Sequence, residues 1–488
     1  MSPYIGKIED TTRAKKHKIK MEKKMKKIIL GMVLLAIFML GAERAAHAGE
    51  MDILLNKLVE KGILSPAESQ IIADETKIQV SKDLAQAKSL SVPEWTQRIK
   101  WGGDVRYRTQ GDWGKTRRDE TPATGTLTKE QRLRQRVRGR FYMEGKVNDF
   151  TYAGVRFAGG NVDPRSTNDT LDSYFDKKYV MFDQYYMRFE APSDIVRNYG
   201  QYFSDLKFWA GRFPIPFEYS EMVWDSDTNP QGMAFQYVSP DIKTGFLPDM
   251  NAYSNLGMFW LTEKSEYNTD SILYGYQAGL KTDVFGPLGT QANLGIAYYD
   301  FANMRGKVAG TYSANTNTRS IVGTTNQYRY EYQVLDVLFT LDNSKIMDMN
   351  FPHGFYADFI NNPCAPLGKG LLVGGYIGKK KIKEPGDWKG RAEWRYIERD
   401  AIPDFMPDSD FYGFGTWTTY SNPLGQGTNG IPAGGGTNGR GINLAFEYQL
   451  LKNTALNLEY YWMEPIKVSS TVSKNPYNEF QFDVITKF

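Results

Sequence analysis

Arg132-Leu133-Arg134-Gln135-Arg136-Val137-Arg138-Gly139-Arg140-Phe141-Tyr142-Met143 carries a guanidinium at every second position from 132 to 140 and sets Leu133, Val137, Phe141 and Met143 against them. A period of two belongs to an extended strand, whose successive side chains point to opposite faces. The same period holds upstream, where Ile99, Trp101, Gly103, Val105 and Tyr107 alternate with Lys100, Gly102, Asp104, Arg106 and Arg108. Downstream, Ala153, Val155 and Phe157 oppose Arg156, and Tyr185, Met187 and Phe189 oppose Gln184, Arg188 and Glu190. Tyr274, Tyr276, Ala278 and Leu280 face away from Gln277 and Lys281, and Leu294, Ile296 and Tyr298 from Gln291, Asn293 and Gly295. Trp388, Gly390, Ala392, Trp394 and Tyr396 oppose Lys389, Arg391, Glu393 and Arg395, Ile442 to Tyr448 repeat the pattern, and the chain closes on Phe480, Phe482, Val484, Thr486 and Phe488.

About sixteen such segments can be traced, the even number that an up-and-down barrel requires. Their connections alternate in length. Lys146–Phe150, Val284–Gly289, Lys380–Gly386 and Leu451–Asn453 are tight, whereas Gly111–Lys129, Gly159–Tyr179, Ala302–Asn326 and Arg399–Asn438 are long, polar and glycine-rich. Short turns on one side and long loops on the other are the asymmetry of an outer-membrane barrel. The expected fold is all-β: a transmembrane, antiparallel barrel over 95–488, read as one domain. A soluble sandwich shows similar alternation but leaves long sheet edges to protect.

The face that meets lipid follows from the arginines. One Arg or Lys on the lipid side costs about 2–4 kcal/mol near the bilayer midplane, so the row 132–140 must look into the barrel. Arg106, Arg108, Arg132, Arg134, Arg136, Arg138, Arg140 and Arg156 are therefore the expected pore-lining residues, a basic patch that favours anions. The competing reading pairs them with Asp104, Glu144 and other inner-wall acids and makes them filling. Trp101, Tyr107, Tyr298, Trp394, Tyr460 and Trp462 suit interfacial girdles, although aromatics are good strand formers anywhere.

At the other end of the chain, the apolar run Ile28–Ala42 is too short to cross a membrane as a helix, a task that takes about 20 residues. Six lysines precede it between Lys18 and Lys27, and Ala46-His47-Ala48 follows, which is the layout of a secretory signal over 1–48. Met21 and Met25 compete with Met1 as the start. Residues 49–92 carry a helical pattern: Ile53, Leu54, Leu58 and Val59 recur on one face, and Ser65-Pro66-Ala67-Glu68 opens a second helix with a capping box. This segment is expected in the periplasm, either as a coiled coil or as a solvated spacer.

Composition narrows the function. The whole chain, 41% hydrophobic and 24% charged, is too polar for a helical membrane bundle, and its net charge of +4 resides in the signal. The mature segment is slightly acidic, so no nucleic-acid partner is expected. Cys364 is the sole cysteine and, past the signal, His353 the sole histidine. No disulfide, Cys/His metal site, cofactor or His-dependent catalytic group follows from that inventory; His353, beside Pro352 and Gly354, reads as a turn residue.

Two motif blocks then resemble the putative porin family of Gram-negative outer membranes. One is Ala210-Gly211-Arg212-Phe213-Pro214-Ile215-Pro216-Phe217 with Trp224-Asp225-Ser226-Asp227 and Pro230-Gln231-Gly232. The other is Pro385-Gly386-Asp387-Trp388 with Tyr396-Ile397-Glu398-Arg399-Asp400-Ala401-Ile402-Pro403-Asp404 and Asp408-Ser409-Asp410-Phe411. The helical leader and the terminal Phe488 fit as well. The resemblance implies a non-enzymatic porin in the outer membrane, forming a homotrimer in lipid and passing small hydrophilic solutes. It also implies that Pro214–Gly232 folds inward, making Arg212, Asp225 and Asp227 constriction candidates. Asp225, Asp227, Asp408 and Asp410 could contact calcium, but two carboxylates per loop fall short of six to eight ligands, and loop capping is the plainer role. A second functional reading makes the barrel an anchor that tethers the outer membrane to the cell wall through the leader.

Overall fold

A computed structural model describes residues 98–488 except 119–126, 161, 266–269, 311–312, 323–324, 415–431, 434 and 468–475, together with scattered positions between 57 and 75. The signal expected over 1–48, its start sites, and most of the 49–92 leader lie outside the described residues. Within the leader, Ser65 Oγ accepts the Glu68 N–H at 3.2 Å while Glu68 Oε2 accepts the Ser65 N–H at 2.9 Å, the reciprocal capping box.

Sixteen antiparallel strands form the barrel: β1 Ile99–Arg118, β2 Leu127–Lys146, β3 Thr151–Gly159, β4 Val180–Glu190, β5 Asp205–Arg212, β6 Gln231–Val238, β7 Met250–Thr262, β8 Ser271–Thr282, β9 Thr290–Ala302, β10 Tyr332–Ile346, β11 Met349–Asn361, β12 Lys369–Gly378, β13 Trp388–Ile397, β14 Gly439–Leu451, β15 Thr454–Pro465 and β16 Tyr477–Lys487. Each pairs with the next in the chain, and β16 returns to β1 in a register running from Asp104↔Lys487 to Gly114↔Tyr477. Closure leaves no sheet edge.

The alternation sorts the faces as expected. On the outside, Trp101, Tyr107, Leu133, Tyr276, Leu294, Ile296, Leu444 and Phe446 stand exposed on the isolated chain, while Asp104, Arg106, Arg108, Arg136, Arg138, Asn293, Glu393, Arg395 and Asp483 are buried inside. The connection between β10 and β11 is Met347-Asp348 and that between β14 and β15 is Lys452-Asn453, with Met347 and Asn453 at positive φ (49° and 64°). The β4–β5 connection on this side holds one short helix, α1 Ser193–Tyr199.

Three expectations change. Gly111–Lys129 is not one long loop, because β1 and β2 stay paired as far as Arg118↔Leu127. His353 is not in a turn: it sits in β11 opposite Asn343 and Ile377, its Nε2 3.2 Å from Asn343 Nδ2. Pro352 is tolerated in that strand because the register slips between Asn343 and Lys345, so no ladder partner needs its missing donor. Third, the long, polar Ala302–Asn326 connection is not loop throughout, and it extends past Asn326: Arg319–Val322 and Thr325–Tyr328 form a small hairpin of their own.

Inside the barrel lies an apolar core that alternation alone does not announce. Phe259, Leu273, Tyr299, Phe301, Tyr332, Val334, Ile360, Leu372, Ile397, Tyr461 and Met463 project inward from the wall. They pack on Phe213, Phe217, Met222, Val223 and Trp224 of the β5–β6 connection and on Ile402, Met406 and Phe411 of the β13–β14 connection. Both connections are thus folded into the lumen. Pro214 and Pro216 turn the first one out of the ladder, and Gly275 on β8 makes room for it: a Cβ there would lie 2.5 Å from Phe217 Cζ.

This sorting makes a sharp expectation. Ile296→Arg, half-way along outward-facing β9, should destabilise the folded barrel by about 2–4 kcal/mol in reversible unfolding from lipid vesicles, whereas Ile296→Leu should cost under about 1.5 kcal/mol.

Candidate pore constriction

The eight arginines singled out in the sequence share one side of the barrel. Register sets Arg106 opposite Arg138 and Arg108 opposite Arg136, with Arg132 opposite Asp112 at the outer end. Such a stack of like charges needs counter-ions, and most are at hand. Arg108 grips Asp483 of β16 through Nε at 2.7 Å and Nη2 at 2.9 Å, and reaches Asp410 at 3.0 Å. Arg138 and Arg140 share Asp104, at 2.9 and 2.7 Å. Arg134 meets Asp112 at 3.1 Å, Arg156 meets Asp183 at 2.6 Å, and Arg106 lies 3.6 Å from Asp483 while donating to Asn168 at 2.6 Å. Arg136 is held by neutral acceptors, Gln110 Oε1 at 2.9 Å and Ser166 Oγ at 3.3 Å. Arg132 is exposed and has no ion-pair partner among the described residues.

Facing this wall are the two inward connections. Asp227 accepts from Arg140 at 3.4 Å. Arg212 ends β5 in register with Tyr185 and Gln231, and its Nε donates to the Asp183 carbonyl at 2.8 Å. The two Asp-Ser-Asp motifs come together. In each, the first carboxylate caps its own loop: Asp225 Oδ1 accepts the Asp227 N–H at 2.8 Å and Asp408 Oδ1 the Asp410 N–H at 2.9 Å. The loops then clip to each other through Asp225 N to Met406 O (2.9 Å), Asp408 N to Glu221 O (2.9 Å) and Ser409 N to Asp225 Oδ2 (2.7 Å). These oxygens are engaged by main-chain donors, the capping role.

The electrostatics of the clip are asymmetric. Burial, then the Asp408 and Asp227 carboxylates, push Asp225 well above the ordinary carboxylate range. Burial and Glu221 push Asp408 up to about 8 in spite of Arg395. Burial would raise Asp410 too, but Arg108 and Arg136 outweigh it and hold that carboxyl at about 2.

Sequence reasoning put Arg391 and Arg395 on the polar face of β13 but not at the site, where they form its far side. Arg395, fully buried, reaches Asp408 at 2.8 Å and Glu221 at 2.9 Å and also pairs with Glu393. Arg391 binds Glu459 of β15 at 2.6 Å and Glu393 at 2.8 Å. A chain of charge therefore crosses the lumen from Arg108 through Asp410, Asp408 and Arg395 to Glu221. Behind it, Asp336 and Asp358 are buried together on the wall, and Asp358 accepts from Ser220 of the inward loop.

The Tyr396–Asp404 motif has a separate job. Asp404, wholly buried, accepts from Arg319 Nη2 at 2.6 Å, Thr316 N at 2.9 Å, Ser313 Oγ at 2.9 Å and Tyr328 OH at 3.0 Å. Asp400, four residues earlier, accepts from Thr318 N at 2.7 Å and Thr318 Oγ1 at 2.6 Å. The motif thus locks the β9–β10 connection to the β13–β14 connection.

A closed barrel with two loops folded into its lumen defines the class of molecule as an outer-membrane channel. The family model described as putative porin matches residues 115–350 and 339–419, and the chain belongs to that family. It is accordingly a porin of the outer membrane. No curated protein matches it. Among solved structures, the loop-deleted OmpT of Vibrio cholerae is 13% identical, covering 80% of this chain and 99% of its own at a TM-score of 0.39. A trimer form of in-vitro folded OmpT from Vibrio cholerae is 12% identical over 80% of this chain and 99% of its own, at 0.38. Salmonella typhi OmpF in complex with daunomycin is 8% identical over 80% and 97%, at 0.40.

Asp404→Ala would strand Arg319 in the interior, a loss of about 3–5 kcal/mol, and should expose the β9–β10 connection to trypsin while the strands remain resistant. Burial opposes ionisation of Asp404, but Arg319 and hydrogen bonds from Ser313, Thr316 and Asn317 hold its carboxyl below the ordinary value. A depressed carboxyl contributes stability above its unfolded pKa and loses it as protons bind. Protection of this loop should therefore be intact at neutral pH and decline as pH falls below about 4; decline on raising the pH from 5 to 8 would contradict the lock.

Proposed function

We propose that the barrel is a passive diffusion channel for small hydrophilic solutes, with a preference for anions, and that it works as a homotrimer without chemistry of its own. The supporting observation is the arginine wall of β1–β4, in which Arg132 has no carboxylate partner among the described residues and Arg136 is hydrogen-bonded by neutral groups, with Asp410 acting on it from beyond ion-pair distance. A solute anion passing between this wall and the Asp225–Asp227 loop meets guanidinium donors on one side and carboxylates on the other. The field of such a wall, focused by the low-dielectric barrel, raises the local anion concentration. Arg106, Arg134, Arg138 and Arg156 are held by acids of their own wall, Arg108 and Arg140 also tether Asp410 and Asp227 of the inward loops, and Pro214–Gly232 narrows the path. The leader over 49–92 belongs to the periplasm and is dispensable for conduction.

Planar-bilayer recordings test this. The reversal potential in a salt gradient should show anion preference, and Arg132→Glu together with Arg136→Gln should shift it toward cations; cation preference of the native channel would overturn the reading. Deleting 214–232 should raise single-channel conductance, and deleting 51–90 should leave it unchanged. A folded barrel that conducts nothing, combined with envelope detachment on loss of 51–90, would favour a tethering role.

A further inference from the structure

We propose that a cleft at the outer rim of the barrel, between the β9–β10 and β11–β12 connections, is a binding site for a phosphate group carried on a sugar. The cleft encloses about 550 Å³ and is lined by Arg305, Arg329, Ser320, Gln327 and Tyr330 over a floor of Tyr328. Arg305 and Arg329 have no ion-pair partner among the described residues, unlike most of the arginines inside the barrel. Two guanidinium groups not engaged in an ion pair, set beside a hydroxyl and a carboxamide with Glu331 as the single acid of the lining, form a donor-rich surface suited to a tetrahedral oxyanion. Arg329 lies 5.7 Å over the Tyr330 ring, and an aromatic face of this kind also serves a sugar.

The cleft is built, not left over. Its walls are fixed by main-chain bonds from Gly306 N to Tyr328 O (2.9 Å), Tyr328 N to Lys307 O (2.9 Å) and Arg329 N to Thr318 O (3.2 Å). Its floor is anchored from behind, because the Tyr328 hydroxyl bonds Asp404 at 3.0 Å. Gly306, at φ +78°, takes a backbone conformation that L side chains rarely adopt and so sets the turn at the cleft's edge.

Its position indicates the source of the phosphate. Cys364 on the cleft's edge lies 3.6 Å from Gln333, which pairs with Asp300 on the outward-facing row that continues Tyr298 and Leu335. The cleft therefore adjoins the lipid-facing wall at the end that carries the long connections. This placement rests on the porin reading, in which those connections face the cell exterior, where the outer leaflet is made of phosphorylated glycolipid. Basic pockets at such a boundary take lipid head groups. Glu331 is the one acid on the lining and would repel the anion, and its removal should tighten binding.

The test uses the full-length protein in vesicles containing lipid A with both phosphates, in vesicles with dephosphorylated lipid A, and in detergent with inorganic phosphate alone. The native protein should retain phosphorylated lipid A through detergent extraction and not the dephosphorylated form. Arg305→Ala with Arg329→Ala should weaken that retention at least about tenfold, while Lys243→Ala with Lys452→Ala, which removes two charges from connections at the opposite rim, should not. Glu331→Gln should bind at least as well as the native protein. Competition by inorganic phosphate at a similar affinity would support the phosphate chemistry and assign it to a free solute. Equal retention by the native and double-arginine proteins, or equal retention of both lipids, would overturn the site. Conductance recorded on the same samples separates the two readings: a non-conducting protein that still retains phosphorylated lipid would remove the channel proposal and leave this one standing.

Discussion

A guanidinium cannot face hydrocarbon cheaply, and the architecture follows from where this chain puts its arginines. Five of them at alternate positions on β2 fix which face of that strand is wet. Because a strand's faces cannot be changed independently of register, β1 and β3 inherit the same assignment through their pairing with β2. From there the sheet continues around sixteen strands and closes on itself. The apolar face looks outward along every strand, so the solvent-accessible interior is where charge must collect.

Collecting charge in a confined lumen creates a second requirement. Like charges stacked a few ångströms apart are unstable without counter-ions, and an unpaired buried charge is costly. The chain answers by folding two connections inward, each carrying acids that meet arginines from opposite walls. Asp227 meets Arg140, Asp410 meets Arg108, and Asp408 and Glu221 meet Arg395. The same connections carry Phe217, Trp224, Met406 and Phe411, which bury the apolar half of the inner wall. The inward-folded loops and the inner core are thus one construction, made of aromatic packing on one side and ion pairs on the other.

Much of this was legible in the sequence. Strand number, the outward and inward faces and the inward arginine row all follow from a period of two. The inner apolar core was not, although the chain carries a trace of it: in Tyr298-Tyr299-Asp300-Phe301, Leu371-Leu372 and Tyr460-Tyr461-Trp462-Met463 the alternation lapses and both faces become apolar. Such runs mark wall that is covered on both sides. His353 misled because Pro352 and Gly354 are usual turn residues, and only a register slip on the neighbouring strand makes room for them. The partners of Arg108 and Arg395 lie 302 and 174 residues away in Asp410 and Glu221, separations at which spacing carries no information. Asp400 and Asp404 belong to a recognisable motif, yet what they hold, the segment from Ser313 to Arg319, is visible only in three dimensions.

The most direct measurement is accessibility on either side of the wall at adjacent positions. With Cys364 replaced by serine, a fluorophore attached at Arg140→Cys and, separately, at Phe141→Cys can be quenched in vesicles by a water-soluble reagent or by brominated lipid. The account predicts that the label at 140 responds to the water-soluble quencher and the label at 141 to the lipid. The reverse order, or equal quenching at both positions, would contradict a barrel with its arginines inside.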